Sequence, residues 1–167
     1  MENSLAFPSL AIDIMSVSNP VKTIEIQLPD GSSKPWSTDQ SFQEFILEFL
    51  PFLKSKALGV ELDGTTLVDL SYKPQTNCKV KFLTFQDKDG KEIFHHSTAH
   101  LLGQAVQRLW KDAKLTVGPV IETGPGFFYY DIDFAEEVIT TDHLPKIEAE
   151  MAKIVKEGLD VHRSVLT

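Results

Sequence analysis

His96 and His100 stand four residues apart in the stretch Phe94-His95-His96-Ser97-Thr98-Ala99-His100-Leu101-Leu102-Gly103. On a helix, positions i and i+4 share a face, so both imidazoles point the same way. Ala99, Leu102, Val106 and Leu109 recur at the spacing of one buried stripe, which makes that helix the expected local structure. Neutral imidazoles can orient a water or accept a proton at neutral pH. The same spacing also suits a metal fragment, a solvated helix face, or satisfied semi-buried polar residues. It is not the zinc-protease pattern, because Ser97 stands where that pattern needs glutamate. Gly103 continues the histidine row and leaves a bare backbone patch beside His100.

The elements that must position this pair divide the chain in two. In the first part, Ile24, Ile26 and Leu28 alternate with polar residues as a half-buried strand, and Pro29-Asp30-Gly31-Ser32 carries turn chemistry. Ser33 to Trp36 returns as a second strand. Ser41 and Glu44 form a capping-box pair ahead of the stripe Phe42, Phe45, Ile46 and Phe49, and Pro51 stops that helix. Val60 to Leu62 and Leu67-Val68 flank Asp63-Gly64 as a hairpin, and Lys79 to Thr84 is a last strand. The order strand, strand, helix, strand, strand is that of a ubiquitin-like (β-grasp) roll. Nothing in it carries chemistry, and its lysines and aromatics read as a solvated face and a core. The charged run Asp87-Lys88-Asp89-Gly90-Lys91 reads as a turn and linker.

After the histidine helix, the glycines and prolines between Gly118 and Gly126 forbid helix and would open the backbone to a ligand, although taken alone they read first as a plain turn between strands. Phe127 to Phe134, holding Tyr130, reads as a strand. Asp142 to Glu157 reads as an amphipathic helix with Leu144, Ile147, Met151, Ile154 and Val155 on its apolar face. Leu159 to Thr167 begins another strand. A sheet with so few strands is poorly covered, so this second unit reads as cut off. The boundaries are a tail over 1–20, a first domain over 21–85, a linker over 86–91 and a second domain over 92–167; the class is α+β.

Composition narrows the function. The net charge is −8, with −3 carried through Phe85 and −5 after it, so neither part is a general phosphate binder. Any nucleic-acid role must use local patches or another domain of the same protein. Cys78 is the single cysteine, which leaves no disulfide and no thiolate cluster for zinc and suits a reducing compartment. No apolar run approaches membrane-spanning length. Met1 to Asn19 lacks Lys and Arg, unlike a secretory or mitochondrial leader, and Met15 is an alternative start.

Leu28-Pro29-Asp30-Gly31-Ser32 together with the roll resembles the TGS domain that opens threonyl-tRNA synthetases. The run from His96 to Val106 resembles the opening of their editing domain, and Gly118 to Gly124 with Phe128-Tyr129-Tyr130-Asp131 is similar to the next stretch of that domain. Alanyl-tRNA synthetases share the histidine motif but not the preceding TGS domain. The resemblance covers all but the tail. It implies the N-terminal piece of a cytoplasmic ligase: a β-grasp roll, then part of an α/β two-layer editing domain that removes serine from mischarged tRNA(Thr). It implies His96 and His100 as catalytic groups, with Tyr130 and Gly103 at the substrate. The implied partners are the 3′ end of tRNA(Thr), seryl-tRNA(Thr) and the rest of a homodimeric synthetase. No cofactor is implied for this stretch; ATP, magnesium and zinc belong to a catalytic core that is absent.

Two departures stand out. Pro125-Gly126-Phe127 resembles an insertion at the pocket rim. The family completes its editing site with a later cysteine and histidine, for which Cys78 is no substitute. Two rival readings stand beside this one: a non-catalytic binding or scaffold module, and a metal-dependent hydrolase with Asp131 or Asp133 as third ligand. His95, His143 and His162 read as structural or surface residues.

Overall fold

The computed structural model describes residues 21–116, 118, 120–121 and 126–159. The tail read into 1–20 and, apart from Leu159, the closing strand lie outside them. Strands β1 (Thr23–Gln27) and β2 (Ser33–Ser37) form an antiparallel hairpin with Ile24 opposite Trp36. Alternation sends Ile24, Ile26 and Trp36 inward. The Ser41 hydroxyl accepts from the Glu44 amide at 3.4 Å, and the Glu44 carboxylate accepts from the Ser41 amide at 2.7 Å. That reciprocal cap starts α1 (Phe42–Phe49), and Pro51 ends it by opening a short 3-10 turn.

Strands β3 (Ala57–Leu62) and β4 (Thr66–Val68) are joined through Asp63 and Gly64, whose φ angles are 49° and 76°. Glycine adopts that left-handed conformation without steric cost, and aspartate tolerates it better than most residues. Strand β5 (Cys78–Thr84) lies at the centre, parallel to β1 and antiparallel to β3, giving the order β2-β1-β5-β3-β4. Helix α1 buries Phe42, Phe45 and Ile46 in the same core as Ile26, Val60 and Val80. The Trp36 and Phe45 rings meet edge to face at 5.1 Å. Burying each such large apolar side chain contributes about 1.5–3 kcal/mol.

Helix α2 (Lys88–Leu109) comes directly after β5, so residues 88–91 are its first turn rather than part of a charged loop. Tertiary contacts decide this. The Asp87 carboxylate accepts from the Thr84 amide at 2.9 Å and its hydroxyl at 3.1 Å, and pairs with Lys81 at 2.7 Å. Gly90 lies so close to β5 that a Cβ there would be 2.7 Å from the Thr84 carbonyl carbon. One turn on, Ile93 packs onto Gly59 of β3.

Beyond α2, β6 (Lys114–Leu115) pairs with β9 (Ile132–Asp133), and β7 (Val120–Ile121) pairs with β8 (Phe127–Phe128), both antiparallel. The single strand expected over Phe127 to Phe134 is therefore two short ones. Its halves change partner, and the Thr116 amide donates to the Asp131 carbonyl where they part. Helix α3 (Leu144–Glu157) buries Ile147 and Ile154 against α2, but Leu144 and Val155, expected on that face, are 51% and 65% exposed. Arg108 of α2 grips α3 through both Glu157 carboxylate oxygens at 2.8 Å and through Glu150 at 3.3 Å. These hydrogen bonds, led by that to Glu157, hold the guanidinium protonated, and Arg108 in turn lowers the Glu157 carboxyl below its usual range. The described chain is an α+β fold of one mixed five-stranded sheet, two small two-stranded sheets and three α-helices. Among the described residues no helix is long and apolar enough to cross a membrane.

Candidate functional site

Helix α2 carries both histidines in its middle turns. Its inner face is Ala99, Gly103, Ala105 and Val106, all buried, and this turns His96 and His100 outward to solvent. Their Nε2 atoms are 2.8 Å apart and the rings meet edge to face at 4.6 Å between centroids. The shared face expected from i, i+4 spacing is thus a direct hydrogen bond between the two rings. The helix begins eight residues before His96, so the pair stands well inside it.

Gly103 is buried rather than a bare patch. A Cβ on it would meet Leu115 Cδ1 at 2.9 Å, Tyr130 Oη at 3.5 Å and Tyr130 Cζ at 3.7 Å. The structure therefore brings Tyr130, from the connection between β8 and β9, onto the histidine helix one turn beyond His100. The tyrosine ring reaches that place across Gly118, where a Cβ would lie 2.6 Å from Cε2 and 3.1 Å from Cγ. Nothing in the sequence marks Gly118 as a partner of Tyr130; only the tertiary contact reveals it.

The remaining candidates separate from this cluster. The Asp133 carboxylate accepts from the Ala135 amide at 2.9 Å, closing a local turn, and Asp131 contributes its carbonyl to Thr116. Among the described residues no three His, Cys, Asp or Glu side chains gather as a metal site, so the third ligand required by the hydrolase reading is not assembled. Cys78 is a core residue whose thiol is pushed up by burial, which makes it a poor nucleophile. His143 accepts from the Thr140 amide at 3.1 Å and serves as a cap. His162 and Pro125 lie outside the described residues. His95 turns the other way from the pair: its Nε2 is buried without a hydrogen-bond partner among the described residues, against Phe85, Phe94 and Gly126.

Comparison with known proteins gives the chain its relatives. No family model matches it. It is 44% identical over 140 residues to a threonine–tRNA ligase of Oceanobacillus iheyensis, covering 84% of this chain and 21% of that protein. A threonine–tRNA ligase of Symbiobacterium thermophilum is 41% identical over 140 residues, with the same coverage of 84% and 21%. One from Caldanaerobacter subterraneus is 38% identical over 152 residues, or 91% of this chain and 23% of that protein. By this similarity the chain matches the N-terminal part of threonine–tRNA ligases and spans between 21% and 23% of the length of these relatives.

Proposed function

We propose that this chain is the N-terminal region of a cytoplasmic threonine–tRNA ligase and carries part of a proofreading site for seryl-tRNA(Thr). The observation that carries this reading is the 2.8 Å His96–His100 pair with the Tyr130 hydroxyl one turn away over Gly103. The strand order β2-β1-β5-β3-β4 with α1 packed across it supports a β-grasp, TGS-type first domain over 21–85. Residues 92–167 are the first part of the editing domain.

The need for such a site is energetic. Serine lacks one methyl group of threonine, which is worth about 1–3 kcal/mol, or roughly 10–200-fold in discrimination. A second, hydrolytic step adds what binding alone does not supply. Water adds to the ester carbonyl carbon, the bond from the acyl carbon to the ribose oxygen breaks, and the terminal ribose hydroxyl recovers a proton. His96 and His100 orient that water and that hydroxyl, and Tyr130, seated over Gly103, borders the substrate. The partners are the 3′ end of tRNA(Thr) and the rest of a homodimeric ligase. ATP, magnesium and zinc act in the catalytic core, outside these residues.

The test is hydrolysis of seryl-tRNA(Thr) by the full ligase and by this chain, each with and without His96→Ala. Hydrolysis that disappears with the substitution supports the reading. An unaltered rate in His96→Ala and His100→Ala ligases would replace it with a scaffold role, which the solvent exposure of both rings already makes the second reading.

A further inference from the structure

We infer that Gly118 is a positioning residue of the proofreading site, acting through Tyr130; its role rests on the proposed hydrolysis of seryl-tRNA(Thr). Three relationships fix the tyrosine. Its ring lies over Gly118, where any Cβ would stand 2.6 Å from Cε2, far inside van der Waals contact. Its hydroxyl ends beside Gly103, 3.5 Å from where a Cβ would be. Leu115 Cδ1 crowds the same position, 2.9 Å from that Cβ.

The two glycines do different work. At Gly103 a methyl would meet the flexible end of Leu115 and touch the tyrosine oxygen at ordinary contact distance. At Gly118 it would meet the body of a rigid ring, which must move as a whole. Gly118 therefore sets the plane of the ring and, through it, the height of the hydroxyl along α2. That hydroxyl is a polar group the fold delivers one turn beyond the His96–His100 pair. A shift of about 1 Å in a catalytic site costs on the order of 100-fold in rate.

The experiment is a double-mutant cycle in the full ligase: Gly118→Ala, Tyr130→Phe and both together, read as hydrolysis of seryl-tRNA(Thr) and as attachment of threonine. Gly118→Ala is expected to slow hydrolysis by roughly 100-fold while attachment is unchanged, and to add little once Tyr130 is phenylalanine. Losses that multiply in the double variant would overturn the inference, since Gly118 would then act independently of the tyrosine hydroxyl. NMR of this chain supplies a readout that does not depend on activity. Contacts between the Tyr130 ring protons and the Gly118 Hα are expected in the unsubstituted protein; their absence would also overturn the inference, even where Gly118→Ala fails to fold. A ligase that leaves seryl-tRNA(Thr) intact without any substitution would remove the proofreading reading itself, and the role of Gly118 with it. Multiplicative losses in a hydrolysing ligase remove only the role of Gly118.

Discussion

The Nε2 atoms of His96 and His100 lie 2.8 Å apart, at hydrogen-bond distance. When both rings are neutral, one Nε2 must carry the hydrogen and the other must accept it. The rings are then opposite tautomers. The donor ring keeps a bare Nδ1, an acceptor, while its partner keeps an Nδ1–H, a donor. A pair of identical side chains thus offers one group of each kind, which suits a reaction that must both hold a water and return a proton to a leaving hydroxyl.

Nitrogen-resolved NMR of the neutral protein tests this directly. One of the two rings is expected to show an Nε2–H and the other an Nδ1–H, and His100→Ala is expected to release His96 to the tautomer mixture of a free imidazole. Two rings with the same tautomer would sink the idea. Because both rings are exposed, each alanine substitution should change unfolding free energy by no more than about 0.5 kcal/mol. Lost hydrolysis would then report chemistry rather than folding.

The cap at the start of α1 gives a stability prediction. Ser41 and Glu44 satisfy two otherwise unpartnered amide groups, and the helix they launch carries the core residues Phe42 and Phe45. Ser41→Ala should cost about 1 kcal/mol in urea unfolding. Phe45→Ala should cost about 3–5 kcal/mol by removing a ring packed against Trp36 and Phe82. Equal losses for the two would mean that the cap, not the packing, organises this helix.

Local signals made the first half legible. The alternation around Ile24 and Ile26, the Ser41/Glu44 spacing and the Asp63-Gly64 turn each depend on neighbours in sequence, and each stands where the pattern puts it. The errors fall where distant contacts decide. Asp87 to Lys91 has the composition of a turn, yet the Lys81 and Thr84 side of β5 captures Asp87 and starts a helix there. Phe127 to Phe134 is apolar and aromatic enough for one strand, but its two ends find different partners. The histidine pair is visible as an i, i+4 motif, whereas the seat of Tyr130 joins Gly103, Leu115 and Gly118, residues brought together only by the fold.

The junction of β5 with α2 should be intolerant of a single methyl group. At Gly90 an added Cβ meets backbone, 2.7 Å from the Thr84 carbonyl carbon and 3.2 Å from its nitrogen, so no side chain can swing aside to relieve it. Gly90→Ala should destabilise by about 1–3 kcal/mol despite alanine's better helix propensity. Urea unfolding checks this, and a variant as stable as the parent would show that the first turn of α2 is not seated on β5.

The same junction should respond to acid. The hydrogen bond from Lys81, then those from Thr84, hold the Asp87 carboxyl below its usual range in the folded protein. A group whose folded pKa is depressed stabilises the fold above its ordinary value, and that contribution is lost as pH falls through the depressed one. Acidification should therefore free the Thr84 amide, which Asp87 holds at 2.9 Å, before the sheet core opens. Proton exchange at that amide, tracked from neutral pH to below the usual carboxylate range, should accelerate in the parent chain. In Asp87→Ala, which has no side-chain acceptor, it should be fast throughout and nearly flat with respect to this transition. An identical acid transition in both proteins would assign the response to another carboxylate and leave Asp87 as a passive neighbour of the helix start.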